Sequence, residues 1–81
     1  MFYTYIIQSV SNRKYYIGST QNIDKRIKRH NSGFNKSTKN KGPFKLVYTE
    51  SFPTRIGAYK RERQIKSYKG GDAFKKLVNL N

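Results

Sequence analysis

Tyr5 and Tyr16 stand near the start of the chain, and Arg26 and His30 follow one helical turn apart. His30 is the only imidazole in the sequence. A carboxylate, Glu62, comes later on what reads as a helix. Phenol, guanidinium, imidazole and carboxylate are what a metal-assisted phosphodiester hydrolase needs. The carboxylate holds a divalent cation, the guanidinium meets charge building on phosphate, and phenol or imidazole moves a proton.

Each group also has a plainer reading. Arg26 and His30 share a helix face beside Ile23 and Ile27, so that face borders a buried stripe. The run Lys25-Arg26-Ile27-Lys28-Arg29-His30 equally reads as a solvated basic helix with an incidental histidine. A single histidine without a second His or any Cys argues against zinc. Glu62 falls about 40° from Ala58 and about 60° from Ile65 on a helical wheel, at the margin of the inward face. It is either a structural partner for a basic side chain, with Arg61 and Arg63 beside it, or a metal ligand. A carboxylate aimed at a phosphate is costly without a cation between them. Magnesium suits such a place, since it takes one or two carboxylates, phosphate oxygens and retained waters.

Most of the seven tyrosines are expected in the core or in stacking roles. Tyr5 and Tyr16 differ because a hairpin of the first two strands brings both rings to one place. A phenol of pKa about 10 is a poor base in water, and neighbouring cations ease its deprotonation. Gly18 falls on the same strand face as Tyr16, where a missing side chain lets a ligand approach closely.

The elements that must position these groups are legible. Phe2 to Gln8 is aromatic and β-branched, a strand; Ser9 to Lys14 suits a hairpin turn; Tyr15 to Ser19 is a second strand pairing antiparallel with the first. Thr20 or Asn22 caps a helix running to about Asn31, with Asp24 in its first turn and Gly33 as its stop. Residues 31–43 are polar, basic and without apolar periodicity, a loop. Phe44, Leu46, Tyr48 and Phe52 alternate with polar residues as a half-buried third strand, which Pro53 ends. Thr54 or Arg55 to Tyr68 is a second helix, broken by Gly70-Gly71. Asp72 opens a short third helix with Phe74, Leu77 and Val78 as its apolar face. The order β-β-α-β-α-α predicts an α+β fold: a three-stranded antiparallel sheet flanked by helices, in a single domain over residues 1–81.

Composition narrows the partner. The chain has 81 residues, 35% of them apolar, and no cysteine, which excludes a disulfide framework and thiolate metal sites. No apolar stretch approaches a membrane span, and the sequence opens directly on strand-like residues, so a cytoplasmic protein without a secretory signal is expected. Eighteen Lys and Arg against four Asp and Glu give a formal charge of +14. Such self-repulsion is relieved by a polyanion, and nucleic acid gains from releasing its condensed counterions. The cations spread from Arg13 to Lys76, unlike the concentrated basic cluster a membrane surface favours. Lys25 and Arg29 on the first helix, with Lys36, Lys39 and Lys41 in the basic loop, are the expected phosphate contacts.

Taken together, these residues resemble the GIY-YIG nuclease superfamily, in particular its small standalone single-domain branch, often labelled excinuclease amino-terminal-domain-like. Tyr3-Thr4-Tyr5 looks like the first signature triplet, and Tyr16-Ile17-Gly18 is the second without change. Lys25 to His30 resembles the helix carrying the family's arginine and histidine, and Ala58 to Lys66 the helix carrying its glutamate. The resemblance spans nearly the whole chain. Two departures stand out: the first triplet has Tyr3-Thr4 in place of Gly-Ile, and only Asn79 and Asn81 are near enough to serve as the family's late asparagine.

The resemblance implies hydrolysis of DNA phosphodiesters, leaving a 5′-phosphate and a 3′-hydroxyl. By position, Glu62 holds one divalent cation, magnesium or manganese, that contacts the scissile phosphate. Tyr5 is the general base toward the attacking water, and Tyr16 orients that water or shares its proton. Arg26 stabilises transition-state charge, and His30 relays a proton or fixes a tyrosine hydroxyl. Gly18 serves packing and access. Phosphate contacts carry no sequence information, so structure-selective cleavage is expected, with RNA as another possible ligand and a separate recognition protein or a second copy as a possible partner. The competing reading is a non-catalytic nucleic-acid-binding module or partner subunit that retains the fold.

Overall fold

The computed structural model describes residues 1–32 and 42–79. Gly33, Asn81 and the lysines at 36, 39 and 41 lie outside the described residues. The sheet is three-stranded and antiparallel, with β1 (Phe2–Ser9) between β2 (Tyr15–Thr20) and β3 (Phe44–Phe52). The helices are α1 (Ile23–Ser32), α2 (Arg55–Ser67) and α3 (Asp72–Val78), in the expected order β-β-α-β-α-α.

β1 is central because its residues can be buried on both faces. Thr4, Tyr5, Ile6 and Ile7 are all buried. Side chains alternate across a strand, so Tyr5 and Ile7 share one face, where Phe44, Tyr16, Ile23 and Ile27 join them. Ile6 points to the opposite face and packs with Ile65 and Phe74, flanked by Ile17, Val47 and Leu77. Helix α1 therefore covers one face of the sheet, and α2 and α3 cover the other.

Local chemistry fixes the element ends. In the hairpin turn the Asn12 amide donates to the Ser9 hydroxyl at 3.2 Å, and Arg13 takes the left-handed conformation at φ 63°. Of the two expected caps for α1, Asn22 takes the role: its Oδ1 accepts from the Lys25 amide at 3.0 Å. Thr54 caps α2 by accepting from the Gly57 amide at 3.1 Å. The Thr4 hydroxyl donates to the Ala58 carbonyl at 2.7 Å, tying α2 to the central strand. Arg61 Nε donates to Glu50 Oε1 at 2.9 Å and anchors the same helix to β3.

One expectation is corrected. Strict alternation puts Leu46 on the same face as Tyr48, yet Leu46 is 40% exposed. The register steps from Ile6–Tyr48 to Ile7–Leu46, so that β3 carries one residue more than β1 at this point, a bulge at Val47. That bulge sends Leu46 and Tyr48 to opposite faces and delivers Val47 to the cluster around Ile6.

Candidate active site

Register places the two signature tyrosines. Tyr5 pairs with Gly18, and Ile7 with Tyr16, so Tyr5, Tyr16 and Gly18 share the face covered by α1. A Cβ on Gly18 would meet Tyr5 Oη at 2.5 Å and Cζ at 2.7 Å. The space beside the glycine is thus filled by the Tyr5 ring, and the absent side chain is what lets that ring lie across β2. Tyr16 packs edge-on against Phe44, with ring centroids 5.5 Å apart.

From α1, Arg26 and His30 reach the Tyr5 hydroxyl together. Arg26 Nε donates to Tyr5 Oη at 3.2 Å, and Tyr5 Oη lies 3.0 Å from His30 Nε2. A guanidinium only donates, so the phenol's own proton is not used on Arg26 and is available to His30 Nε2 in the Nδ1–H tautomer. His30 is no incidental histidine on a solvated helix. It is 5% exposed, enclosed by Tyr5 and Phe44. Burial, and then the Arg26 charge, hold its pKa below the usual imidazole value, so the ring is neutral at pH 7. Burial likewise raises the Tyr5 pKa above 10.0, outweighing the hydrogen bond and charge of Arg26.

Glu62 approaches from the other side of edge strand β2. Its Oε1 accepts from the Ser19 hydroxyl at 2.9 Å and its Oε2 from Lys66 Nζ at 2.7 Å. The side chain is 14% exposed, against 53% for Lys66. Tyr5, Tyr16, Gly18, Arg26, His30 and Glu62 all line one cavity of about 670 Å³. The five predicted catalytic side chains, drawn from four elements, are therefore brought together around β2.

Some predicted residues stand apart. Lys25 and Arg29 are exposed on α1, away from the cavity lining. Asn79 is exposed at the end of α3 and does not line the cavity. Sequence reasoning missed Ser19, Tyr59 and Lys66, which do. Lys66 had a signal, standing four residues after Glu62 on one helix. Ser19 had only its odd-even partnership with Ile17 on the α2 face of β2.

A model of the GIY-YIG catalytic domain matches residues 1–75. The chain belongs to the GIY-YIG family. It is 40% identical over 67 residues to a UPF0213 protein of Haloquadratum walsbyi, covering 82% of this chain and 74% of that protein. A UPF0213 protein of Syntrophus aciditrophicus is 46% identical over 66 residues, covering 79% and 75%. Among solved structures, the NMR structure of the UPF0213 protein BH0048 from Bacillus halodurans is similar at a TM-score of 0.60 and 36% identity, covering 100% of this chain and 86% of that one. The GIY-YIG superfamily is one of nucleases that act on nucleic acid, generally with divalent metals. No helix among the described residues is long and apolar enough to cross a membrane.

The donor set can be tested against such a metal. Among the described residues no group of three or more His, Cys, Asp or Glu converges on one point. Glu62 is a single carboxylate beside a hydroxyl in an open cavity. That fits a hard dication whose remaining ligands are phosphate oxygens and water, and does not fit zinc.

Proposed function

We propose that this GIY-YIG chain is a metal-dependent endonuclease that hydrolyses DNA phosphodiesters by structure rather than by sequence. The observation that carries this reading is the Tyr5 hydroxyl held between Arg26 Nε and His30 Nε2, in the cavity that Glu62 also lines.

The raised pKa of Tyr5 argues against a phenolate waiting in the free protein. A relay needs none. As the attacking water's oxygen closes on phosphorus, its proton passes to Tyr5 Oη while the Tyr5 proton moves to His30 Nε2. Neutral His30 is the form that can accept it, and Arg26 steadies negative charge at Tyr5 Oη throughout. The bond from phosphorus to the 3′ oxygen breaks, and that oxygen takes a proton from solvent. Glu62 would hold a magnesium or manganese ion, which when bound would supply Lewis-acid stabilisation of the phosphate and leaving oxygen. Tyr16, packed on Phe44 at the cavity wall, orients the water. The exposed cations Lys25 and Arg29, together with the lysines at 36, 39 and 41, hold the backbone of the nucleic acid.

The test is cleavage of end-labelled duplex, flap, junction and single-stranded DNA by the purified protein, with magnesium, with manganese and with EDTA. Metal-dependent nicking lost in Glu62→Ala and Tyr5→Phe is expected. Tight, salt-sensitive binding without turnover in any metal would instead favour a binding module.

A further inference from the structure

Both oxygens of Glu62 are engaged from within the protein, Oε1 by the neutral Ser19 hydroxyl and Oε2 by the ammonium of Lys66. Lys66 stands one helical turn further along α2 and lines the same cavity as Tyr5 and Arg26. We propose that Lys66 is an internal competitor for the divalent metal, occupying the cation position at Glu62 until a phosphodiester arrives. This rests on the metal role proposed for Glu62 and adds the order in which metal and nucleic acid assemble.

The charge balance argues for it. Glu50, the other carboxylate borne by the sheet and α2, is held by Arg61 and Tyr48. The cavity therefore presents Glu62 alone against Arg26 and Lys66, and a dication entering there meets two fixed positive charges. It also finds one carboxylate oxygen already in a 2.7 Å ion pair. A phosphodiester changes both terms, since one non-bridging oxygen can meet the metal while the other accepts Lys66. Lys66 is 53% exposed on a flexible stem, so its ammonium can swing from the less exposed Glu62 into solvent or onto a phosphate. Metal and nucleic acid then bind with positive linkage, each raising the affinity for the other by the same factor.

Manganese binding to the intact protein tests this without turnover, by the electron paramagnetic resonance signal of free Mn²⁺. Without DNA, Lys66→Met should bind Mn²⁺ at least about fivefold more tightly than wild type, within the usual range of coupling between sites. Lys66→Arg keeps a cation over Glu62 and should stay as weak as wild type, and Glu62→Gln should remove the site. Lys66→Met binding no more tightly than wild type would overturn the proposal, leaving the nuclease reading intact. If wild type with DNA bound no more Mn²⁺ than Glu62→Gln with DNA, the metal role of Glu62 and this inference would fall together.

Discussion

Gly18→Ala is the sharpest structural perturbation of the site, because it adds one methyl group and removes no functional atom. The new Cβ would lie 2.5 Å from Tyr5 Oη, 2.7 Å from Cζ and 3.1 Å from Cε2, where ordinary contact begins near 3.4 Å. Tyr5 must retreat by about 1 Å, and at 2% exposure its ring is packed among core neighbours that must yield with it. A shift of that size carries the 3.0 Å contact to His30 and the 3.2 Å contact to Arg26 out of hydrogen-bond range. Overpacking a core costs about 1–3 kcal/mol, and each buried hydrogen bond adds about 1 kcal/mol. A destabilisation of roughly 3–5 kcal/mol follows, lowering Tm by more than about 10 °C in a domain this small. Misplacing a reacting group by about 1 Å costs on the order of a hundredfold in rate. Thermal unfolding and single-turnover cleavage should show both losses. Adding Tyr5→Phe deletes the 2.5 Å contact, so the double variant should regain part of the stability and none of the cleavage. Unchanged stability and rate in Gly18→Ala would refute the role given to the space beside β2.

The remaining predictions concern charge and protonation. The pKa of His30 is depressed, so its neutral form contributes stability that is fully present above the unfolded value near 6.5 and is lost as pH falls through the lower folded value. Urea unfolding should show that acid loss, and His30→Gln should flatten it. Cleavage should persist somewhat below pH 6.5 and fail once the ring protonates, which a pH–rate profile would reveal. The Tyr5 pKa is raised, so its contribution is full below pH 10 and fades as pH rises through the higher folded value; absorbance titration of Tyr5→Phe against wild type should show one late-titrating phenol missing. Ser19→Ala frees Glu62 Oε1 without altering charge, and should lower kcat severalfold with DNA affinity unchanged in a filter-binding assay. Arg26→Lys keeps a cation but loses the Nε donor to Tyr5, and should cost about 10²-fold or more in single-turnover rate.

The fold was legible where local chemistry decides it. The aromatic and β-branched run of β1, the Asn22 and Thr54 caps and the Gly70-Gly71 break are local signals, and the elements follow them. The bulge at Val47 was not legible, since alternation in one strand carries no record of where its register with a neighbour shifts. The site divides the same way. Spacing and motif resemblance named Tyr5, Tyr16, Arg26, His30 and Glu62 in advance, and they line one cavity. Burial of His30 was hidden inside a run of cations because Tyr5 and Phe44, which enclose it, arrive from two strands distant in sequence. The contact of Ser19 with Glu62 spans 43 positions and depends on how α2 docks across the sheet.

The central claim is that Tyr5 and His30 act as one proton path within the hydrolytic site. Single-turnover cleavage by wild type, Tyr5→Phe, His30→Ala and the double variant measures this directly, with magnesium saturating. Residues that act as a unit lose nearly everything with the first deletion, so the double variant should be no slower than the worse single one. Losses that multiply, each variant costing its full factor on top of the other, would show two independent contributions and contradict the relay.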